Sequence, residues 1–408
     1  MHSRIHEIKE AAESAKDKKG TYGPDIDLSQ YKKNATPHPY EEKLGSFGPE
    51  ESDKLTAVGI DISQDQRSGT FLLKDQSVIH CRTKQDGLEV LSMKEALDRY
   101  QWLEEYWWKA VSVDADKYTA QAELSLNDGY FIRSYAFAKS LSPIQACLYM
   151  GVENLSQNVH NIIIAEEGSE LHIITGCATA PYVLSGLHIG ISEFYIKKGA
   201  KLTFTMIHNW GRDVMVRPRS AAIVEEEGIF LSNFACLHPV RSLQLYPVTR
   251  LVGQGAIARF HSILLATPGS DLDTGARVFL QAPQTRSEII TRAISTGGKI
   301  MARGHLIGEV PGIKAHLECM GLLLSEKGGI HAVPELEGKV GGVDMSHEAA
   351  VGKIAQEEVE YLMARGLTEE EATSTIVRGF LDVRIEGLPP SLQEELSRVI
   401  KQSEKALM

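Results

Sequence analysis

One phrase recurs through the middle of this 408-residue chain: a short apolar run, one to three charged or polar residues, a glycine, then another apolar run. It reads IIIAEEGSELHII, EFYIKKGAKLTFTMI, AAIVEEEGIFLSNF, TRLVGQGAIARFHSI, RAISTGGKIMARGHL and LLLSEKGGIHAV. The phrase is marked by Gly168, Gly199, Gly228, Gly255, Gly298 and Gly328. Its steps are all roughly thirty residues, except a longer one from Gly255 to Gly298. A recurring step of that size suggests stacked coils, in which one coil cannot bury its apolar face alone but a stack can. No long helical pattern intrudes between residues 116 and 345. The crossover helices of a βαβ sheet are therefore missing. Parallel strands joined by tight glycine turns favour a β-helix or solenoid, with a two-sheet antiparallel sandwich as the alternative.

The flanks read differently. Residues 1–20 have the pattern of an amphipathic helix, and residues 21–58, rich in Lys, Pro, Tyr and Gly, that of an extended arm. Val90 to Val111 reads as a second helix. Ser92 is its N-cap, and Glu95 completes a capping box. Its aromatic stripe, Tyr100, Leu103, Tyr106, Trp107 and Ala110, suits core or a docking surface. From Ser346 the composition turns helical, with Gly366 as a C-cap and a capping box from Thr368 to Glu371. Pro389-Pro390 break the chain before a third helix capped by Ser391. The expected division is 1–115 helical and extended, 116–345 β-helix core, and 346–408 a small helical domain.

Charge and cysteine usage narrow the function classes. The net charge is −11. That argues against a general nucleic-acid binder. The charged N-terminus lacks a signal-peptide apolar core, and no run approaches a membrane span. The five cysteines, Cys81, Cys147, Cys177, Cys236 and Cys319, are scattered and form no CxxC pair. This fits a reducing cytoplasm. There is no GxxxxGK[ST], so the usual route to ATP hydrolysis is absent, and no GxGxxG after a strand, GxSxG or HExxH.

Three clusters carry candidate chemistry. Cys319 stands close to one repeat step before His347, and His316 lies beside it. In a stacked solenoid this spacing is compatible with Cys319, His347 and Glu348 sharing a site for iron, zinc or an iron–sulfur cluster. Otherwise Cys319 is a small buried hydrophobe and His347–Glu348 a helix cap. Cys177, in ITGCATAPYVLSGLHIG with His172 and His188 nearby, is either a reactive thiol at a turn or a core residue. His208, Asn209, Trp210, Arg217 and Arg219, in MIHNWGRDVMVRPRSA, either line a path or interface or form a solvated rim.

Taken jointly, EEGSELHIITGCATAP with SGLH, FTMIHNW, VRPRSA, HLECMGLLL, PELEG, SHEAAVGKI and EEVEYLMARGLTEEEA resemble the SufB/SufD family of iron–sulfur cluster assembly proteins. The likeness runs from about Glu153 to Phe380. It implies a right-handed parallel β-helix whose C-terminal helical domain docks a SufC-type ABC ATPase. It also implies pairing of two scaffold subunits through their β-helices, with clusters formed near that interface. By motif position Cys319 resembles the cluster-assembly cysteine, and His347 with Glu348 the interface pair. Cys177 resembles the acceptor of sulfur from a desulfurase, and His208 and Trp210 fall in the segment thought to line the sulfur path. The family more often has glutamine at His208, and an Arg and an Asn where Tyr149 and Gly151 stand here.

The expected function is therefore a non-catalytic cytoplasmic scaffold that assembles a labile iron–sulfur cluster, [4Fe–4S] among the candidate types, and passes it to apo-protein acceptors. One chain offers too few soft ligands for a closed four-ligand site, so a homodimer or a SufD-like subunit would complete it. A SufD-like partner without its own cluster is one rival reading. A carbohydrate-active β-helix enzyme using Asp271 and Asp273 is another.

Overall fold

The computed structural model describes residues 2–60 and 67–381. Its centre is a parallel β-solenoid of about eight turns, and helices flank it at both ends. Each coil gives one strand to each of two facing sheets. The first sheet stacks Ile144–Met150, Glu170–Thr179, Lys201–Asn209, Ile229–Cys236, Ile257–Ala266, Arg286–Ser295, Lys314–Leu323 and Asp344–Gly352, all parallel. The second sheet carries the return strands, among them Leu155–Ala165, Ser185–Ile196, Asp271–Leu280, Lys299–Gly308 and Gly329–Gly338. Two of its rungs are split, at Arg217-Pro218 and at Tyr246-Pro247. Proline cannot donate to the ladder at either place.

The glycine repeat is a corner. At one edge of the stack the residue turning each coil has a left-handed backbone: Phe137, Gly168, Gly199, Glu227, Gly255, Gln284, Gly312 and Gly342, with φ from 53° to 78°. From Phe137 to Gly255 each of these donates its N–H to a carbonyl at the corner of the next coil, as in Gly168 to Lys198 and Gly199 to Glu226. Glycine is favoured there because an L side chain strains in this region. Gly228 lies one residue past its corner, behind Glu227. Gly298 and Gly328 belong to the opposite edge, where Gly269, Gly297 and Gly328 have positive φ. The one long step in the repeat is thus a coil plus a crossing from one edge to the other. The register gives the true coil length: Lys201 pairs Ile229, Ile257 pairs Arg286, and Lys314 pairs Asp344.

The lumen is filled by inward side chains of both sheets. Phe194 and Phe204 meet edge to face with ring centroids 4.8 Å apart. Phe230 meets Phe260 in the same way at 5.9 Å. Edge-to-face contact sets the positive rim of one ring against the negative face of the other. Late strands alternate between buried and more exposed positions over most of their length. That pattern is expected where one face is wet. Leu155–Ala165 is buried throughout. The difference is a jacket: parts of residues 4–60 and 93–113 pack on the outer faces of the first coils. Phe47, Leu55, Val58 and Ile60 cover Tyr149 and Ile174, and Leu103, Trp107 and Trp108 cover Ile162, Leu187 and Ile189.

The helix expected over 90–111 is shorter. Leu88–Ser92 is a strand, Met93–Arg99 a helix and Gln101–Glu105 a 3-10 turn. Ser92 does cap Glu95, but the Glu95 side chain reaches forward to Arg99 and not back to the cap. Beyond it Glu193, fully buried, captures the chain. Its carboxylate accepts from the backbone N–H groups of Trp108, Ala110 and Val111, from His160 Nε2 at 2.9 Å and from the Tyr195 hydroxyl at 3.1 Å. Helix bonds would have used those same N–H groups. The aromatic stripe is core: Trp107 stacks on His160 at 3.9 Å and Tyr106 meets Tyr195 at 4.7 Å. The N-terminal helix is present at His2–Ala15.

At the other end the helical reading from Ser346 is corrected. Asp344–Gly352 is the last strand of the first sheet, and helices follow only at Gln356–Met363 and Glu369–Leu381. Ala349, Ala350 and Val351 pair along the preceding coil. Their helical preference loses to a strand edge that offers a full ladder of partners. The Thr368–Glu371 capping box forms in both directions, and Gly366 turns the chain at φ 98°. Pro389-Pro390 and the helix expected from Ser391 lie outside the described residues.

Replacing Glu193 with Ala should strand the N–H donors of Trp108, Ala110 and Val111, two of them buried, and cost about 3 kcal/mol. Denaturant unfolding measures the loss, and limited proteolysis should now cut first within residues 100–115. Gly312 has positive φ and nothing within 4 Å of a built Cβ. Gly312→Ala should therefore report the corner's backbone strain alone, about 1–2 kcal/mol in the same assay.

Candidate functional site

Strand register sorts the sequence-predicted residues into lumenal columns. In a parallel stack, paired residues on successive coils point the same way about 4.8 Å apart. One column runs Leu148, Cys177, His208, Cys236, Leu264. Its neighbour runs Ala146, Thr175, Met206, Phe234, Ser262, Thr291, Cys319. Cys177 and Cys319 thus face the same lumen on adjacent columns, five coils and roughly 24 Å apart. Cys236, given no role from the sequence, stands on the rung after His208 and pairs with it in register. The signal that could have found it was its spacing from His208, one coil.

The lumen around Cys177 is apolar with polar patches. A cavity of about 30 Å³ is lined by Cys177, His188, His208, Thr175, Tyr130 and Asn161, among others. A second, of about 40 Å³, shares Phe194, Phe204 and Met206 with it and extends to Ser262 and Gly275. Each is large enough for a water or two. Trp210 joins the group: its ring centroid lies 4.8 Å from His188 and 5.6 Å from His208. Burial holds every group here in its neutral form. It pushes the Cys236 thiol up to about 12 and the Cys177 thiol higher still. It pulls His188 down to about 3, and His208 well below the ordinary imidazole range, helped by the neighbouring His188. The His208 Nδ1 and Trp210 Nε1 atoms are buried without a hydrogen-bond partner.

The Cys319 neighbourhood is built differently. Cys319 is buried with its thiol raised to about 11 by desolvation, an effect that Arg292 partly offsets. His347 pairs in register with Leu317, two residues from Cys319 on the same lumenal side. Glu348 pairs with Glu318 and so takes the opposite, outer face, where Arg292 forms an ion pair with Glu318. His316 also faces out and bonds Ser346 at 2.9 Å, lining an open groove of about 290 Å³ with Arg259, Glu288 and Lys314. His347 and Glu348 are exposed. Among the described residues no three His, Cys, Asp or Glu side chains converge on a metal position. The one-coil spacing brought Cys319 and His347 to one face, but period-two alternation put Glu348 on the other.

Several other candidates resolve into framework. His172 lies an odd number of residues from Cys177 on the same strand. Alternation therefore turns it outward. Arg217 is fully buried and donates to the carbonyls of Val216, Ser242 and Pro24. Arg219 pairs with Asp116 at 2.8 Å. Arg217 clamps the N-terminal arm to the solenoid, and Arg219 clamps Asp116, the N-cap of the helix Lys117–Leu124. Asp273 is held by Arg303 through two hydrogen bonds of 2.6 and 3.1 Å, so the acidic pair with Asp271 is tied into an ion pair. No described helix is long and apolar enough to cross a membrane.

Residues 148–380 match the family model described as SUF system FeS cluster assembly, SufBD core domain. The chain is 49% identical over 402 residues to an iron–sulfur cluster assembly SufBD family protein of Methanothermobacter thermautotrophicus, covering 97% of this chain and 98% of that one. It is 50% identical over 372 residues to a SufBD family protein of Archaeoglobus fulgidus, covering 90% of this chain and all of that one. It is 31% identical over 313 residues to the iron–sulfur cluster assembly protein SufB of Bacillus subtilis, covering 76% of this chain and 66% of that one. The chain belongs to the SufBD family of iron–sulfur cluster assembly proteins.

His188 and His208 are held neutral in the fold. In the unfolded chain they take up protons near pH 6.5. Their folded pKa values are depressed, so the stability that they carry is present above about pH 6.5 and is lost as pH falls. Each should steepen the acid side of the stability curve by up to about 1.4 kcal/mol per pH unit. Urea unfolding at pH 7 and pH 5 should show the decline, and His208→Gln should make it shallower.

Proposed function

We propose that this protein is a cytoplasmic scaffold on which an iron–sulfur cluster is assembled and from which it is transferred. The cluster is cargo, and the ATP hydrolysis that drives its cycle belongs to a SufC-like ABC ATPase partner. The observation that carries this reading is the last coil. There Cys319 faces the lumen one rung before a terminal strand whose His347 and Glu348 are exposed and whose outer edge pairs with no described strand. A thiol next to an open sheet edge, short of partner ligands by itself, is half of a site.

A second copy across a twofold axis would present the same Cys319, His347 and Glu348 again. Mixed nitrogen, oxygen and sulfur ligation would leave such a cluster easier to release than four cysteines would. Sulfur would enter at Cys177, and the paired cavities beside His208, Trp210 and Met206 support a lumenal path toward Cys319. Exposed Tyr361 and Met363 on the helix Gln356–Met363 suit a docking face for the ATPase. The failure of the ligands to converge within one chain also favours a second reading, in which a SufD-like subunit supplies the missing half.

Anaerobic reconstitution with iron and sulfide, in the presence of the ATPase, tests the reading. A brown protein is expected for the wild type, with cluster absorbance reduced at least several-fold in Cys319→Ala plus Glu348→Ala. Equal loading of that variant would overturn the ligand assignment. Size measurement of the chain alone and with a second scaffold subunit separates self-pairing from a SufD-like partner.

A further inference from the structure

No charged side chain among the described residues lines either lumenal cavity. The titratable groups at the cavity beside Cys177 are Tyr130, Cys177, His188 and His208. Burial pushes Tyr130 and Cys177 up and pulls His188 and His208 down, so all four are uncharged at neutral pH. Most polar groups there are already committed to one another. The Tyr130 and Thr175 hydroxyls lie 3.1 Å apart, Asn161 Oδ1 accepts from the Tyr130 N–H at 3.0 Å, and Asn161 Nδ2 donates to Ser192 Oγ at 3.2 Å.

One acceptor is kept bare by the fold. Gln157 is fully buried, and its Nε2 donates to the Asp75 carbonyl at 2.7 Å and to the Tyr149 carbonyl at 3.2 Å. Both amide protons are thereby occupied, so Oε1 is the atom that faces His188 Nδ1, at 3.0 Å. A carbonyl oxygen can only accept, so Nδ1 carries the proton and Nε2 keeps its lone pair. That Nε2 lies 2.9 Å from where a Cβ on Gly190 would stand, and His188 and Gly190 both line the cavity.

We propose that this cavity binds sulfide in its neutral form, hydrogen sulfide. The assignment rests on the lumen as a sulfur path and names the species that the path takes. Size limits the occupant to one or two small molecules. Charge excludes hydrosulfide, which would lose its hydration and meet no cation. Water is disfavoured because a buried water makes about three hydrogen bonds, and few partners here are uncommitted. An S–H group is a weak donor, for which one bare imidazole nitrogen is enough. The remaining wall includes Phe194, Phe204 and Met206, and sulfur packs favourably against aromatic rings. Binding makes and breaks no covalent bond. Sulfide already has the oxidation state of a cluster's inorganic sulfur, so no oxidant or reductant is needed.

The experiment uses the full-length protein with ¹⁵N-labelled histidine and sodium sulfide, under anaerobic conditions and without iron. NMR of the ring nitrogens should show a reversible, saturable shift at His188 Nε2, and sodium chloride should give none. From pH 7.5 to 9.5 the total sulfide needed for half-saturation should rise about tenfold per pH unit, because only the neutral form enters. Ser220 lines both cavities. Filling them with Ser220→Leu should raise the half-saturation point about tenfold or more, and the smaller Ser220→Val should act in the same direction. Thermal unfolding confirms that each variant folds. Cys177→Ala should keep the shift, because binding does not use the thiol. No shift in the wild type, or one that strengthens as pH rises, would overturn the inference. So would its loss in Cys177→Ala, which would make the response covalent chemistry at the thiol. Loss of the shift in Ser220→Leu with an unchanged rate of cluster loading from iron and sulfide would leave the site standing and overturn its place on a path to Cys319.

Discussion

Everything in this molecule depends on the rung, the parallel pairing of one coil with the next. A coil of roughly thirty residues buries its inward face only against other coils, and its backbone groups are satisfied only by the coils above and below. The corners enforce the register of that stack. Where Gly168 donates to Lys198 and Gly199 to Glu226, the left-handed residue turns the chain and bonds the next turn at once. Because register is held this way, residues one coil apart in the sequence become neighbours, as Cys177 and His208 do. Each lumenal column is a sequence-distant set made contiguous.

A stack of this kind has two ends, and an unpaired end strand invites pairing. The protein treats its ends differently. The early coils are wrapped by parts of residues 4–60 and 93–113, and a buried carboxylate, Glu193, locks that jacket by binding the N–H groups of three of its residues. The final coil has no such cover among the described residues, and Asp344–Gly352 remains an exposed edge. Enclosure at one end and openness at the other give the lumen a direction. Cys177 lies in the enclosed part and Cys319 next to the open one.

The lumen also sets the chemistry. Desolvation keeps Cys177, Cys236, His188 and His208 neutral, so nothing in it ionises without a local proton partner. Hydrogen bonds there decide roles: Gln157, committed by both of its amide protons, dictates which nitrogen of His188 is bare.

Much of this was legible in the sequence. The apolar phrase with its glycine turn determines a stack of parallel coils, because period-two strands with left-handed corners have few other ways to bury one face. The motifs around Cys177, Cys319 and His347–Glu348 determine the family. The tertiary structure decided the rest. Glu227 and Gln284 take corner positions without being glycine, so glycine counting slipped phase at Gly298. Residues 346–352 have helical composition, but the edge of Lys314–Leu323 recruits them as a strand. Glu193 ends a helix from far along the chain by capturing Trp108. Alternation then puts Glu348 on the face opposite Cys319, which no spacing rule within one strand's sequence could show. Composition and local pattern determine which residues can form a coil. Only the neighbouring coil, through the hydrogen bonds it leaves open, decides where each coil begins and which way each side chain faces.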